Sequence, residues 1–172
     1  MKISNILKKY DTDKNSGKHC YGPAYDQLFK SFNRKSNLDI IEIGTQFGES
    51  LRAWREFFPN ADITGVDIVD IVEEKYPGIG YIISDVKELK MNKEFDIVID
   101  DGSHKLSDVL YTVKNFKLKK NGMMIIEDCQ APGHWFRAIK ELTEYSVEGI
   151  DLRSVNKRRD DYLIVLRNYD YN

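Results

Sequence analysis

A chain of 172 residues suits one domain with a full hydrophobic core and leaves little room for a second. Its apolar share of 41% and charged share of 31% are ordinary for a soluble globular protein, and a net charge of −2 gives no electrostatic reason to expect a nucleic-acid partner. No apolar run is long enough to cross a bilayer, residues 1–5 lack a signal-peptide core, and Cys20 and Cys129 have no CxxC partner, so a cytoplasmic chain with free thiols and no membrane partner is expected.

Residues 1–37 begin with helical spacing at Ile3, Ile6 and Leu7, pass through a polar loop and reach an amphipathic helix around Tyr25, Leu28, Phe29 and Phe32. This segment is expected to form a helical cap. Apolar extended runs then alternate with helix-like stretches. Strands are expected at 38–43, 61–67, 79–83, 95–99 and 122–126, and helices at 50–58, 109–116 and about 135–143. Strands apolar on consecutive positions are buried on both faces, the habit of a parallel sheet covered by helices. Two last extended segments, 146–153 and 162–167, flank a polar turn at 154–161 and make an antiparallel hairpin. Within that turn Lys157-Arg158-Arg159 is answered by Asp160-Asp161 and reads as a solvated tip. The expected fold is α/β: a doubly wound, Rossmann-like, mostly parallel sheet of seven strands, with helices on both faces and one reversed hairpin, in a single domain 1–172. Ligands of such sheets gather beyond the carboxyl ends of the strands.

The first strand runs into Glu42-Ile43-Gly44-Thr45-Gln46-Phe47-Gly48, and a helix opens at Glu49-Ser50. Glycine after a strand lets the backbone turn and approach a ligand. The G-x-x-x-G spacing lacks the close G-x-G of dinucleotide loops, which counts against a nicotinamide or flavin cofactor. Asp67 ends the second strand, where a carboxylate can hold a ribose diol. Its plainer role is to cap a helix over 69–75. Asp85 ends the third strand and can meet the amine of adenine, or likewise act as a cap. Gly44, Thr45, Gly48, Ser50, Asp67, Ile68, Asp85 and Asp100 are the candidate cofactor contacts on these tips.

The fourth strand ends in Asp100-Asp101-Gly102-Ser103-His104 and the fifth in Glu127-Asp128. Neighbouring strands lie about 4.8 Å apart, so Asp101, Glu127 and Asp128 would crowd three carboxylates together. Such crowding calls for a bound proton or a cation. Oxygen ligands favour Mg²⁺, with Mn²⁺ behind it. The plainer alternative is that these acids cap helices or pair with lysines. His104, on the Gly-Ser loop beside them, is the candidate general base. His19 and His134 have weaker claims. Cys129 follows two acids with no activating cation beside it in sequence, so it reads as space-filling and not as a nucleophile. The chemistry that joins these parts is methyl transfer from S-adenosylmethionine to a hydroxyl.

Thr12-Asp13-Lys14, His19, Tyr21, Tyr25, Glu42-Ile43-Gly44, Ser50-Leu51, Trp54, Phe58-Pro59, Gly65, Asp67, the run 100–104 and Glu127-Asp128 occur in an order that resembles the metal-dependent sugar O-methyltransferases of macrolide biosynthesis. The resemblance covers about residues 10–130. It implies a metal at Asp101, Glu127 and Asp128, His104 as base, cofactor contacts at Gly44, Asp67, Asp85 and Asp100, and a lid loop with Asp13, Lys14, His19 and Tyr21. The chain is expected to depart from that family in its separate N-terminal domain, which this sequence does not show, and departs from it in the bulk of Gln46-Phe47. The implied partner is a small-molecule or sugar hydroxyl acceptor, and a homo-oligomer stays open. The competing readings are a methyltransferase acting on protein or nucleic acid and a non-catalytic binder of S-adenosylmethionine.

Overall fold

Consecutive apolar residues need partners on both faces of a strand, and two hydrophobic cores supply them from opposite sides of one sheet. The computed structural model describes residues 1–15 and 17–169; Ser16 and 170–172 of the expected 1–172 domain lie outside the described residues. In chain order the elements are α1 (Ile3–Lys9), α2 (Gly22–Leu28), β1 (Asp39–Ile43), α3 (Glu49–Phe57), β2 (Asp62–Asp67), β3 (Ile79–Ile83) and β4 (Glu94–Asp100). Then follow α4 (Leu106–Asn115), β5 (Lys117–Ile126), α5 (Pro132–Leu142), β6 (Ser146–Asp151), α6 (Arg153–Asn156) and β7 (Tyr162–Arg167). The seven strands run in the order β3-β2-β1-β4-β5-β7-β6, with β1 to β5 parallel and β7 antiparallel to both its neighbours. The expected doubly wound sheet with a reversed hairpin is therefore the one formed.

Alternation along the strands divides the cores. Ile40, Ile97, Ile99, Met123 and Ile125 pack with α1, α2 and α3, whereas Ile41, Ile43, Val98, Met124 and Ile126 pack with α4 and α5. The connection after β1 thus uses one face and the connection after β4 the other. Between the tips of these two adjacent strands the chain leaves a crevice, the usual ligand seat of a doubly wound sheet.

Three segments differ from expectation. No helix follows β2: the run Ile68–Val72 carries four β-branched residues, and Ile68 and Val69 are exposed, so there is neither propensity nor a buried apolar face to hold one. Only a single 3-10 turn, Val86–Glu88, lies between β3 and β4. The third is the hairpin tip, which contains α6 and is not uniformly solvated, because Asp161 is fully buried against His19. Among the described residues, no helix is long and apolar enough to cross a membrane.

Candidate active site

The crevice is shaped by glycine. Gly44 and Gly48 both have positive φ, +81° and +84°, and a Cβ on Gly44 would overlap the Asp101 carbonyl oxygen. The Gly44 loop and the Asp101 loop therefore touch backbone to backbone. On one side of the contact lies a cleft of ≈ 260 Å³ lined by Gly44, Asp67, Ile68, Asp85, Asp100 and other residues. On the other lies a cleft of ≈ 110 Å³ bordered by Lys14, Gly44, Thr45 and Ser50. Asp67 locks the loop between them: its Oδ2 accepts from Thr45 N at 2.8 Å and Gln46 N at 2.9 Å, while Oδ1 accepts from Val69 N at 3.1 Å. Asp85 accepts from Lys87 N at 2.9 Å and so caps the short 3-10 turn while bordering the cleft. The plainer capping role of Asp85 and its cleft position coexist.

Beside the clefts, β1, β4 and β5 carry acids at or just past their carboxyl ends. Sheet alternation sends Glu42 and Glu127 to the face of α1–α3, and burial there is complete or nearly so. Lys14 enters between them from the 10–21 loop. Its ammonium donates to Asp101, to Glu127 at 3.0 Å, and lies 3.5 Å from Glu42. Tyr25 donates its hydroxyl to Glu127, and Tyr21 donates to Asp128. Glu42 also accepts from Ser50 Oγ at 2.8 Å and Trp54 Nε1 at 2.9 Å. His19 Nδ1 lies 2.8 Å from Asp161 and 3.3 Å from Asp128. His104, a third exposed and at φ 53°, holds Nε2 3.9 Å from Asp128.

Electrostatics follow from this crowding. Burial raises the Asp101 and Glu127 carboxyls above their ordinary range, and Lys14 pulls both back. Burial also opposes the Lys14 charge, yet its carboxylate neighbours hold it well above the usual lysine value. Tyr21 and Tyr25, raised by burial and by the adjacent acids, remain donors. Burial likewise raises the Cys129 thiol, which fits the expected space-filling role. Burial pushes Glu42 up from 4.5 to about 7 against the pull of Lys14. A carboxyl raised on folding favours the fold in its protonated form. That contribution is complete below pH 4.5 and disappears as pH rises through about 7. Glu42→Gln cannot titrate. Over this window it is expected to lose less stability than the parent, by at most about 3 kcal/mol. Urea denaturation across pH in EDTA measures the difference, and parallel curves would exclude Glu42 as its source.

The structure places Gly44, Thr45, Ser50, Asp67, Ile68, Asp85, Asp100 and Lys14 along the two clefts. Gly48 instead caps the start of α3, and Tyr21 is buried against Asp128. Asp100 faces the side of α4, opposite Glu127, with Oδ1 accepting from Gly102 N at 3.3 Å. Sequence reasoning counted Glu42 and Tyr25 in the family resemblance without giving either a role in the site, gave Asp161 none, and ranked His19 low as a base. Glu42 did carry a signal, being an acid inside an otherwise apolar parallel strand.

No protein-family model matches the chain. Among curated proteins, the mycinamicin VI 2''-O-methyltransferase of Micromonospora griseorubida is 31% identical over 142 residues, covering 73% of this chain and 35% of that enzyme. The demethylmacrocin O-methyltransferase of Streptomyces fradiae is 30% identical, over 73% of this chain and 36% of its own. A solved structure of MycE methyltransferase from the mycinamycin pathway, in complex with Mg, SAH and mycinamycin VI, superposes with a TM-score of 0.68 at 29% identity, over 81% of this chain and 39% of that one. The chain is a relative of the macrolide sugar O-methyltransferases. It spans about a third of the length of these curated relatives. A second MycE crystal form covers the whole of this chain with a TM-score of 0.76 and supports the class I methyltransferase fold.

The relatives make a divalent cation the group to test against this chain's own residues. Asp101, His104 and Asp128 each present a ligand atom, all within 4.8 Å of one another. Two carboxylates so placed fit a divalent cation, and the His104 imidazole stands close enough to serve the same centre as a base. Glu127 stands next to this set, but Lys14 and Tyr25 hold its two oxygens. Each of those oxygens keeps a second lone pair, so the two bonds orient Glu127 without barring it from the same ion.

Proposed function

We propose that this protein transfers a methyl group from S-adenosylmethionine to a hydroxyl of a small molecule or sugar, assisted by Mg²⁺ or Mn²⁺, with His104 as general base. The observation that carries the reading is the convergence of Asp101, His104 and Asp128 within 4.8 Å at the rim of a glycine-shaped crevice. The likeness to sugar O-methyltransferases supports it independently. The residues 1–172 act as one methyltransferase domain, with 1–37 as its cap.

In this reading the cofactor lies across the Gly44 loop. Its adenosine occupies the larger cleft, where Asp67 and Asp85 offer carboxylate oxygens to the ribose and the adenine amine. Asp100 faces the same cleft from the β4 tip, and Ile68 gives it an apolar wall. The methionine end extends toward Lys14, Thr45 and Ser50. An alcohol is a weak nucleophile near neutral pH, so the acceptor needs its proton removed and its oxygen fixed in line with the methyl group. His104 is exposed enough to meet an acceptor and takes that proton. Asp101 and Asp128, with Glu127 beside them, would hold the cation, which would supply charge stabilisation to the developing alkoxide. Lys14, Tyr21 and Tyr25 hold the carboxylates in place by hydrogen bonds, and the 10–21 loop covers the acids from solvent.

The test is transfer of radiolabelled methyl from S-adenosylmethionine to a panel of sugar hydroxyl acceptors. Turnover is expected with Mg²⁺, loss of turnover with EDTA, and recovery on adding Mg²⁺ back. Thermal stabilisation by S-adenosylmethionine without transfer to any acceptor would make the protein a binder and overturn the reading. Unchanged turnover in EDTA would remove the cation from it.

A further inference from the structure

The charged run Lys157-Arg158-Arg159 has no part in the chemistry above, yet it borders the site. A shallow, open depression lies beside the β5 tip, lined by Gln130, Arg153, Lys157, Arg158 and Arg159 together with Asp151. An extended chain would send alternate side chains to opposite sides. Lys157 at φ 60° breaks that alternation, and all three consecutive cations border one concavity.

These cations are only partly neutralised. Asp151 holds Arg153 through bonds of 2.6 and 2.8 Å. Arg158 is shared between Asp160, 3.2 Å from its Nη2, and Asp161, 3.4 Å from its Nε. Lys157 and Arg159 have no side-chain partner among the described residues. Like charges gathered round one concavity repel, unless an anion shares it. Arginine forks suit phosphate oxygens in particular, and the lysine adds a point charge.

Three side-chain contacts connect this surface with the proposed reaction centre. Contacts of 3.3, 2.8 and 3.4 Å lead from Asp128 to His19, to Asp161 and to Arg158. We propose that Lys157, Arg158 and Arg159 seat a phosphate-type anion, and that the methyl acceptor is a phosphorylated sugar whose hydroxyl reaches Asp128 and His104. A sugar phosphate and a nucleoside diphosphate sugar share this chemistry. The second half of the proposal rests on the methyl-transfer reading, and the anion seat does not.

Titration calorimetry with inorganic pyrophosphate tests the seat alone. Lys157→Ala/Arg159→Ala changes two exposed residues, and its melting temperature checks that it folds. Saturable binding is expected in the parent, weakened by salt and at least roughly tenfold weaker in the double variant. The S-adenosylmethionine affinity should be equal in both. No saturation by about 10 mM pyrophosphate, or equal affinity in both proteins, overturns the seat. Methyl transfer to a hexose panel, each offered as methyl glycoside, 1-phosphate and nucleoside diphosphate, tests the acceptor. A lower KM for one phosphorylated form, lost in the double variant, supports the proposal and names the source. Equal KM for the neutral glycosides overturns the acceptor half. Pyrophosphate binding without transfer to any member leaves the seat standing and counts against the methyl-transfer reading instead.

Discussion

His104→Ala and Asp128→Ala are each expected to lower methyl transfer at least about a hundredfold while leaving S-adenosylmethionine affinity within about twofold. The reason is positional. Both side chains lie at the tips of β4 and β5 on the acceptor side, whereas the larger cleft is bordered by Gly44, Asp67 and Asp85. The two variants should part in their response to cation. Saturating Mg²⁺ should recover some activity in Asp128→Ala, where Asp101 and Glu127 remain to hold the cation, but none in a variant that lacks the base. Single-turnover rates and calorimetric cofactor titrations measure the two effects separately. Turnover near the parent level in His104→Ala would assign the proton to another group.

Lys14→Met is expected to cost about 3–5 kcal/mol of stability, because it strips the buried carboxylates of their cation. Lys14 is itself 1% exposed, and Asp101, Glu127 and Glu42 all lie around its ammonium. For a chain of this size that loss lowers the melting temperature on the order of 10 °C. Mg²⁺ should raise the melting temperature of the variant more than that of the parent, since no ammonium competes for Asp101. Calorimetry in EDTA and in Mg²⁺ measures both. A melting temperature equal to the parent's in EDTA would show that the cluster is already neutral without Lys14.

What the sequence made legible is what local chemistry controls. Runs such as Ile40-Ile41 and Met123-Met124-Ile125-Ile126 announce strands buried on both sides, and Gly44 announces the turn that brings two loops into contact. The adjacency of β4 and β5 follows from the fold class, so the meeting of Asp101 and Asp128 could be anticipated. Partners far apart in the chain could not be. Lys14 reads as a lid residue, yet it is the cation inside the acid cluster. Asp161 looks like a neutraliser of neighbouring arginines and does pair with Arg158, but nothing local reveals that it is also buried against His19. Tyr25 follows the apolar stripe of its helix, and nothing local reveals that its hydroxyl ends on Glu127. The segment after β2 misleads in the opposite way. Asp67 looks like a helix cap there, but it ties the glycine loop, and no helix forms.

The His19–Asp161 contact spans 142 residues, Lys14–Glu127 spans 113 and Tyr25–Glu127 spans 102. Closing such long loops costs entropy before any contact repays it, and contacts of this range slow folding. The sheet, by contrast, grows largely by adding strands that follow closely in the chain, such as β2 on β1 and β7 on β6. During refolding the strands should therefore gain hydrogen-exchange protection before residues 10–25 do, and competence to bind cation should arrive with that later step. A nascent chain released before β7 emerges would carry every residue of Asp101, His104 and Asp128, but without the Asp161 that anchors His19 beside them.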